Sequence, residues 1–225
     1  MSKSSEERAS RRSTRQREAG AVTRAETRRR VLAAAIEVFA EHGYVAATVS
    51  KIAERADVSV QSLYSAWGNK RGLLRGMMES QVLGDQPGAL TSENLPMSDV
   101  GDVAATGVDS RALIAYAVRQ FRSLAERAAL GWQTYAQAAA VDPEAAEDWQ
   151  ALMNIRRLSI RSIVASIPAE DLRPGLTPDT AGDTAWVIAS PHTHEQLVVT
   201  AGFTYDEFEE WVRTTLIAAL LRPAG

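Results

Sequence analysis

Residues 58–70, VSVQSLYSAWGNK, gather side chains that hydrogen-bond in several ways and carry no negative charge. A glutamine amide matches the donor and acceptor of an adenine edge, a serine hydroxyl serves several bases, and valine methyls meet a thymine methyl. Ser59, Val60, Gln61 and Ser62 supply these types within one helical first turn. Tyr64 adds a hydroxyl that can reach a phosphate oxygen. Two helix starts sharpen the pattern. Thr48 and Ser59 are types that cap helix N-termini. Three positions after Thr48, where a capping box places Glu, stands Lys51. Lys70 and Arg71 open the next helix. Cations there oppose the helix dipole, at about 0.3 kcal/mol or more each. A phosphate arriving at the exposed N–H groups reverses that balance.

Positioning such groups takes short helices held at a fixed angle. Residues 48–67 read as helix, turn, helix: Ile52, Ala53 and Ala56 point inward from the first, Asp57 occupies the turn, and Val60, Leu63 and Tyr64 belong to the second. That is helix-turn-helix geometry, in which the second helix enters the DNA major groove by its N-terminus. Spacing of this kind is weak by itself, because short helical pairs are common. Upstream, Val31, Leu32, Ala35, Ile36 and Phe39 recur at helical spacing until Gly43. Downstream, a helix is predicted from Lys70 to about Leu83. Residues 1–22 have no apolar period and read as a disordered basic arm. Residues 84–109 hold five acids and no base among Gly, Pro and Ser, and read as a flexible loop. Beyond them only helical patterns follow: 111 to about 129, a separate segment after Gly131, Pro143 to about 167, Pro178 to Ile188, Pro191 toward Val199, and 203–221. The predicted fold class is all-α.

Charge divides the chain in the same place. Residues 1–75 hold 15 basic and 8 acidic side chains, a balance of +7; residues 76–225 hold 10 and 20, a balance of −10; together they give the net −3. A basic first third on an acidic remainder fits a polyanion meeting the first third alone, or simply a basic tail on an acidic domain. The 225 residues are 45% apolar with no cysteine, which excludes disulfides, thiolate metal sites and cysteine nucleophiles. No apolar run is long enough to span a bilayer, and none resembles a signal peptide, so a cytoplasmic protein without membrane contact is expected.

Residues 24–75 resemble the N-terminal domain of TetR-family transcriptional repressors. The resemblance rests on RRRVLAAAIEVFAEHGYVAATVSKIAERADVSVQSLYSAWGNKRGLL: FAEHGY, then Thr48-Val49, Ile52-Ala53, Ala56, Val58-Ser59, Leu63-Tyr64, Trp67, Asn69-Lys70 and Leu73. GFTYDEFEEWVRTTLIAALL more loosely resembles the last helix of many actinobacterial-type members. The chain departs at Ala66, where many members have His, and at Arg71, where many have Glu. The resemblance implies a helix-turn-helix DNA-binding domain at 23–69 and a helical effector-binding and dimerisation domain at 70–225. It implies a homodimeric, ligand-responsive repressor on a palindromic operator in double-stranded DNA, released by a small-molecule effector. By the same token Thr48, Tyr64 and Lys70 reach phosphates, Val60, Gln61 and Ser62 reach base edges, and Lys51 and Arg71 are weaker backbone candidates. Each has a plainer alternative: Thr48 only a cap, Tyr64 a core residue, Lys70 a solvated lysine, the Arg-rich arm a solvated tail rather than a minor-groove contact.

The resemblance also implies a small-molecule pocket. Tyr116, Trp132, Tyr135, Trp149 and Met153 are candidates for it, against the plainer reading that aromatic stripes are core. Trp186, Phe208, Trp211 and Leu216 in the last two helices are expected at a dimer surface, against an ordinary intrachain core. In PHTHE, His192 and His194 would point about 200° apart on a helix, which disfavours a shared metal ion. No cofactor is implied. No acid–base pair, nucleophile triad or phosphate loop supports an enzyme.

Overall fold

The computed structural model describes residues 3–84, 88–91 and 100–223; for 3–19, 101 and 102 only the helical path is described. The chain is all-α. It divides into two compact units, Met1–Met77 and Met78–Gly225, so the division falls within a helix rather than at residues 69/70.

The first unit contains α1 (Lys3–Ala46), α2 (Val49–Arg55), α3 (Val60–Trp67) and the start of α4 (Lys70–Leu83). Helix α1 begins far upstream of Thr23, where apolar periodicity begins. Residues 3–22 of the expected disordered arm therefore stand in helix, and residues 1 and 2 lie outside the described residues. Periodicity reports packing, whereas Arg, Glu, Gln and Ala favour helix on propensity alone. Gly43 interrupts α1 with φ 66° and ψ 175°, a conformation an L side chain resists. It redirects the chain so that Tyr44 stacks on Phe39, ring centroids 6.1 Å apart. Val38, Phe39, Ile52, Ala56, Leu63, Leu73 and Met77 are at most 2% exposed and form the core of this unit.

Trp67 closes that core. Its indole lies against Gly76, where an added Cβ would collide with the ring, and the Arg28 guanidinium covers the ring at 4.5 Å. The missing side chain on α4 is thus a slot for the last residue of α3.

The second unit contains the rest of α4, α5 (Val100–Ala105), α6 (Ser110–Ala139), α7 (Pro143–Val164), α8 (Pro178–Ile188), α9 (Pro191–His194), a π-helical turn (Glu195–Thr200) and α10 (Tyr205–Leu220). Side-chain caps start the long helices: Asp109, Asp142 and Thr177 each accept backbone N–H bonds, and Thr204 forms a capping box with Glu207. Two expectations are corrected. Part of the flexible loop at 84–109 is helix α5, which packs on α6 and α7 with Val100 fully buried. Gly131 does not end a helix but lies within α6, where a Cβ would strike Gln81 and the Met78 sulfur of α4. A glycine inside a helix can mark a close approach rather than an end.

Helices α7 and α8 are clamped by one carboxylate. Asp183 accepts paired N–H bonds from Arg157 (2.7 and 2.7 Å) and from Arg161 (2.8 and 2.7 Å). These bonds hold the Asp183 carboxyl well below the usual carboxylate range. A carboxyl depressed in the folded state adds stability that is complete above its unfolded pKa and is lost as pH falls through the folded one.

Two outcomes follow for denaturant unfolding. Gly76→Ala gains about 1 kcal/mol in helix propensity but overpacks Trp67, for a net loss of about 1–2 kcal/mol. Asp183→Asn lowers stability at neutral pH, and the gap to the parent protein narrows as pH drops below about 4.

Candidate functional site

Helix α3 is largely exposed. Of its eight residues only Leu63 is buried. Backbone bonds and caps hold it instead. Asp57 takes a left-handed φ of 51° in the turn, which Asp tolerates better than most residues. The Val58 N–H then donates to the Ala53 carbonyl at 3.0 Å. Ser59 caps the helix by accepting the Ser62 N–H at 3.0 Å, and the two hydroxyls lie 2.7 Å apart.

These bonds sort the candidates. Gln61 and Tyr64 are exposed, Tyr64 by 52%, and neither makes a hydrogen bond with a described residue. Tyr64 is therefore not core. Val60 is 37% exposed beside them. Ser59 and Ser62 are bonded to each other, so their hydroxyls are already engaged. Thr48 caps α2, accepting the Lys51 N–H at 3.2 Å, and its side chain is exposed. Lys51 is exposed, with a long 3.5 Å bond from Nζ to the Ala46 carbonyl.

Lys70 differs from expectation. Its Nζ donates to the carbonyls of Tyr44 (2.7 Å), Ala47 (3.1 Å) and Val45 (3.4 Å) and sits 4.2 Å above the Tyr44 ring. An ammonium has three N–H groups, and three carbonyls take them. Lys70 is half-buried and ties α4 to the turn after Gly43, the plainer alternative of a solvated lysine being set aside. The partner carbonyls lie 23–26 residues upstream, a distance no sequence pattern reports.

Arg55 performs a similar tie. It bonds Glu41 through both nitrogens at 2.8 Å and Glu37 at 3.1 Å, joining α2 to α1. The Arg55 hydrogen bond holds the Glu41 carboxyl below its ordinary value. Two acids of the unit are thus engaged by a cation, while α3 itself carries none. An acid-free helix with an unspent amide and an unspent phenol can read base edges and bind phosphate.

In the second unit, a pocket of about 400 Å³ opens among α6, α7, α9 and the π-turn. Its volume falls in the range of small-molecule sites. Trp132 and Trp149 line it, with Gln133, His192, His194 and Glu195 as polar groups. The other three candidates are not in its lining. Tyr135 is buried behind it, stacked on Trp149 at 6.0 Å; Tyr116 and Met153 are half-buried elsewhere. Sequence reasoning missed His194 as a pocket residue. It is 3% exposed, with Nε2 3.3 Å from the Tyr205 hydroxyl and its ring near Trp132 and Phe208. Burial pulls its pKa below the ordinary value, favouring neutral imidazole. No pattern in the sequence marks it; only the structure shows the adjoining π-turn, a feature that often stands at functional positions. Among the described residues no three His, Asp or Glu side chains gather as a metal site.

The expected dimer residues separate. Phe208 is fully buried against Phe121, and Leu216 is 6% exposed, so both belong to the chain's own core and not to a dimer surface. Their spacing on α10, with Val212 between them, is one inward stripe. Trp186 is half-buried and Trp211 is 36% exposed.

A helix-turn-helix unit followed by a helical second unit defines a DNA-binding regulator of transcription rather than an enzyme. Residues 31–77 match the model of bacterial regulatory proteins of the tetR family. It is similar to the uncharacterised helix-turn-helix regulator YdeS of Bacillus subtilis (strain 168), 28% identical over 152 residues, 67% of this chain and 69% of that one. Among solved structures it shares its fold with NalD, the secondary repressor of the MexAB-OprM multidrug efflux pump in Pseudomonas aeruginosa (TM-score 0.65, 21% identity, 88% of this chain and 99% of that one). The SmeT–triclosan complex is similar in fold as well (TM-score 0.65, 19% identity, 88% and 93%). Among the described residues no helix is long and apolar enough to cross a membrane.

One comparison of variants separates the two kinds of residue. Lys70→Met lowers unfolding stability by about 2 kcal/mol, because three carbonyls lose a charged donor. Gln61→Ala and Tyr64→Phe stay within about 0.5 kcal/mol of the parent protein in the same denaturation assay.

Proposed function

We propose that the protein is a homodimeric, ligand-responsive repressor that binds a palindromic operator in the cytoplasm and leaves it when a small molecule binds. The observation that carries this reading is the acid-free α3 with Gln61 and Tyr64 exposed and unspent. Gln61 and Val60 read base edges, Tyr64 takes a phosphate, and Thr48, Lys51 and the first turn of α3 at Ser59 and Ser62 set the register on the backbone. Two such helices, one per subunit, meet half-sites about one DNA turn apart or a multiple of it. Trp186 and Trp211 are the surface aromatics left for subunit contact.

The effector enters the pocket lined by Trp132 and Trp149. It releases DNA by binding more tightly to the state that does not fit the operator. The repressor named in NalD and the triclosan complex of SmeT, proteins of the same fold, support both halves of this reading.

The DNA upstream of the protein's own gene is the first operator to try in a gel shift. Binding is expected to weaken as salt rises. Gln61→Ala combined with Tyr64→Ala should weaken it by about tenfold or more. Retention of full affinity by the double variant would remove the recognition assignment.

A further inference from the structure

The wider pocket of the second unit has a charge asymmetry. Its lining holds one carboxylate, Glu195, and no lysine or arginine; the remaining titratable groups are His192 and His194. Glu195 opens the π-turn, is exposed, and its carboxylate makes no hydrogen bond or ion pair with an arginine or lysine among the described residues. His194 adds little positive charge at neutral pH, because burial lowers its pKa and the adjacent Glu195 charge only partly offsets that. The arginines of the neighbouring helices are committed elsewhere. Arg122 is held by Glu126, Asp206 and Glu209. Arg127 donates to the Ser123 hydroxyl and the Gln81 carbonyl. Arg156, buried on α7, donates through Nη2 to the Ala189 carbonyl; its Nη1 is buried without a hydrogen bond among the described residues, and it is not in this lining. On α7 the segment around Trp149 carries Glu144, Glu147 and Asp148 and no base before Arg156.

The aromatic walls favour a positive ligand too. Trp132 and Trp149 are each backed by a stacked ring: Phe121 on Trp132 with centroids 6.1 Å apart, Tyr135 on Trp149 at 6.0 Å, both pairs at 23°. A stacked neighbour covers one face of an indole and leaves the other. Trp149, half-buried, shows more of its ring than Trp132, which is 4% exposed. The face of an indole is the negative end of its quadrupole and attracts a cation within about 6 Å. A pocket of about 400 Å³ accommodates a fused two-ring system. The narrower cleft of this unit, about 40 Å³ among Phe121, Ile160, Leu216 and their neighbours, offers neither that room nor a polar group.

We propose that the wider pocket takes planar aromatic cations, the ring against Trp149 and the positive charge beside the Glu195 carboxylate. The proposal rests on the reading of this pocket as the effector site and names the class of effector. A neutral ring of the same shape keeps the stacking and loses both electrostatic contacts. An anionic ring meets Glu195 with no lysine or arginine in the lining to offset it.

Isothermal titration of the full-length protein at about pH 8, above the ordinary imidazole range, compares N-methylquinolinium, quinoline and 1-naphthoate. All three are two-ring systems of similar size, and they are cationic, neutral and anionic there. N-methylquinolinium should bind at least about tenfold more tightly than quinoline, and 1-naphthoate most weakly. Glu195→Gln, at an exposed position whose side chain holds nothing in the fold, should cut the cation's advantage over quinoline by about fivefold while quinoline affinity stays as it was. Equal binding of the cation and quinoline, no binding of N-methylquinolinium up to about 1 mM, or an advantage untouched by Glu195→Gln overturns the proposal. Gel shifts with and without N-methylquinolinium keep this result apart from the effector reading. Charge-selective binding that leaves the DNA complex intact sinks release through this pocket and leaves the ligand class standing. DNA binding without charge selectivity sinks the ligand class and leaves the DNA reading standing.

Discussion

A helix that must show nearly all of its surface to another molecule has almost nothing with which to hold itself still. Helix α3 meets that constraint with one buried side chain, Leu63, and with the indole of Trp67 at its end. Burial of a single leucine is worth about 2 kcal/mol, less than ordering eight residues costs. The balance is supplied by its surroundings: the left-handed Asp57, the Ser59 cap, and the slot that Gly76 leaves for Trp67. The recognition surface is rigid because the residues beneath and beside it are, not because it is a strong helix.

The same economy governs the polar groups. Ser59, Ser62, Thr48, Lys70 and Arg55 spend their donors and acceptors on the protein itself. They fix where α2 and α3 start and how α4 meets the turn after Gly43. Gln61 and Tyr64 are kept out of this network and remain available to a partner. A group already bonded three times within the fold contributes charge to a nearby phosphate but little geometry.

In the second unit the two cavities differ in kind. The wider one is walled by indoles and polar groups around a π-turn, surfaces that pack well against a planar ring. The narrower one is lined by aliphatic side chains and Phe121. Buried polar groups in folded proteins are nearly always satisfied, and Nη1 of Arg156, buried with no hydrogen-bond partner among the described residues, is an exception. The Arg157–Asp183–Arg161 clamp on the neighbouring face shows how the same helix treats arginines whose partner is built in.

Much of this was legible in the residues. Helical periodicity, capping types at Thr48 and Ser59, and the lack of acids around Gln61 are local signals, and local geometry obeys them: the caps bond as their types imply, α4 spans Lys70–Leu83, and Pro143 and Pro178 open helices. Where the reading failed, the cause lay across the chain. Lys70 looked like a surface cation until its three carbonyls, more than twenty residues away, folded back onto it. Gly131 looked like a helix end because nothing in the sequence shows α4 pressed against it. Phe208 and Leu216 looked like a dimer face because an apolar stripe does not say whose core it joins. Sequence alone determined where the capped helices α2, α3, α7 and α8 begin and that α3 carries amide and hydroxyl groups without acids, since these follow from bonds within a few residues. Only the tertiary structure decided which of those groups are already spent and that one nitrogen of Arg156 is buried without a hydrogen bond among the described residues, because both depend on contacts between distant residues.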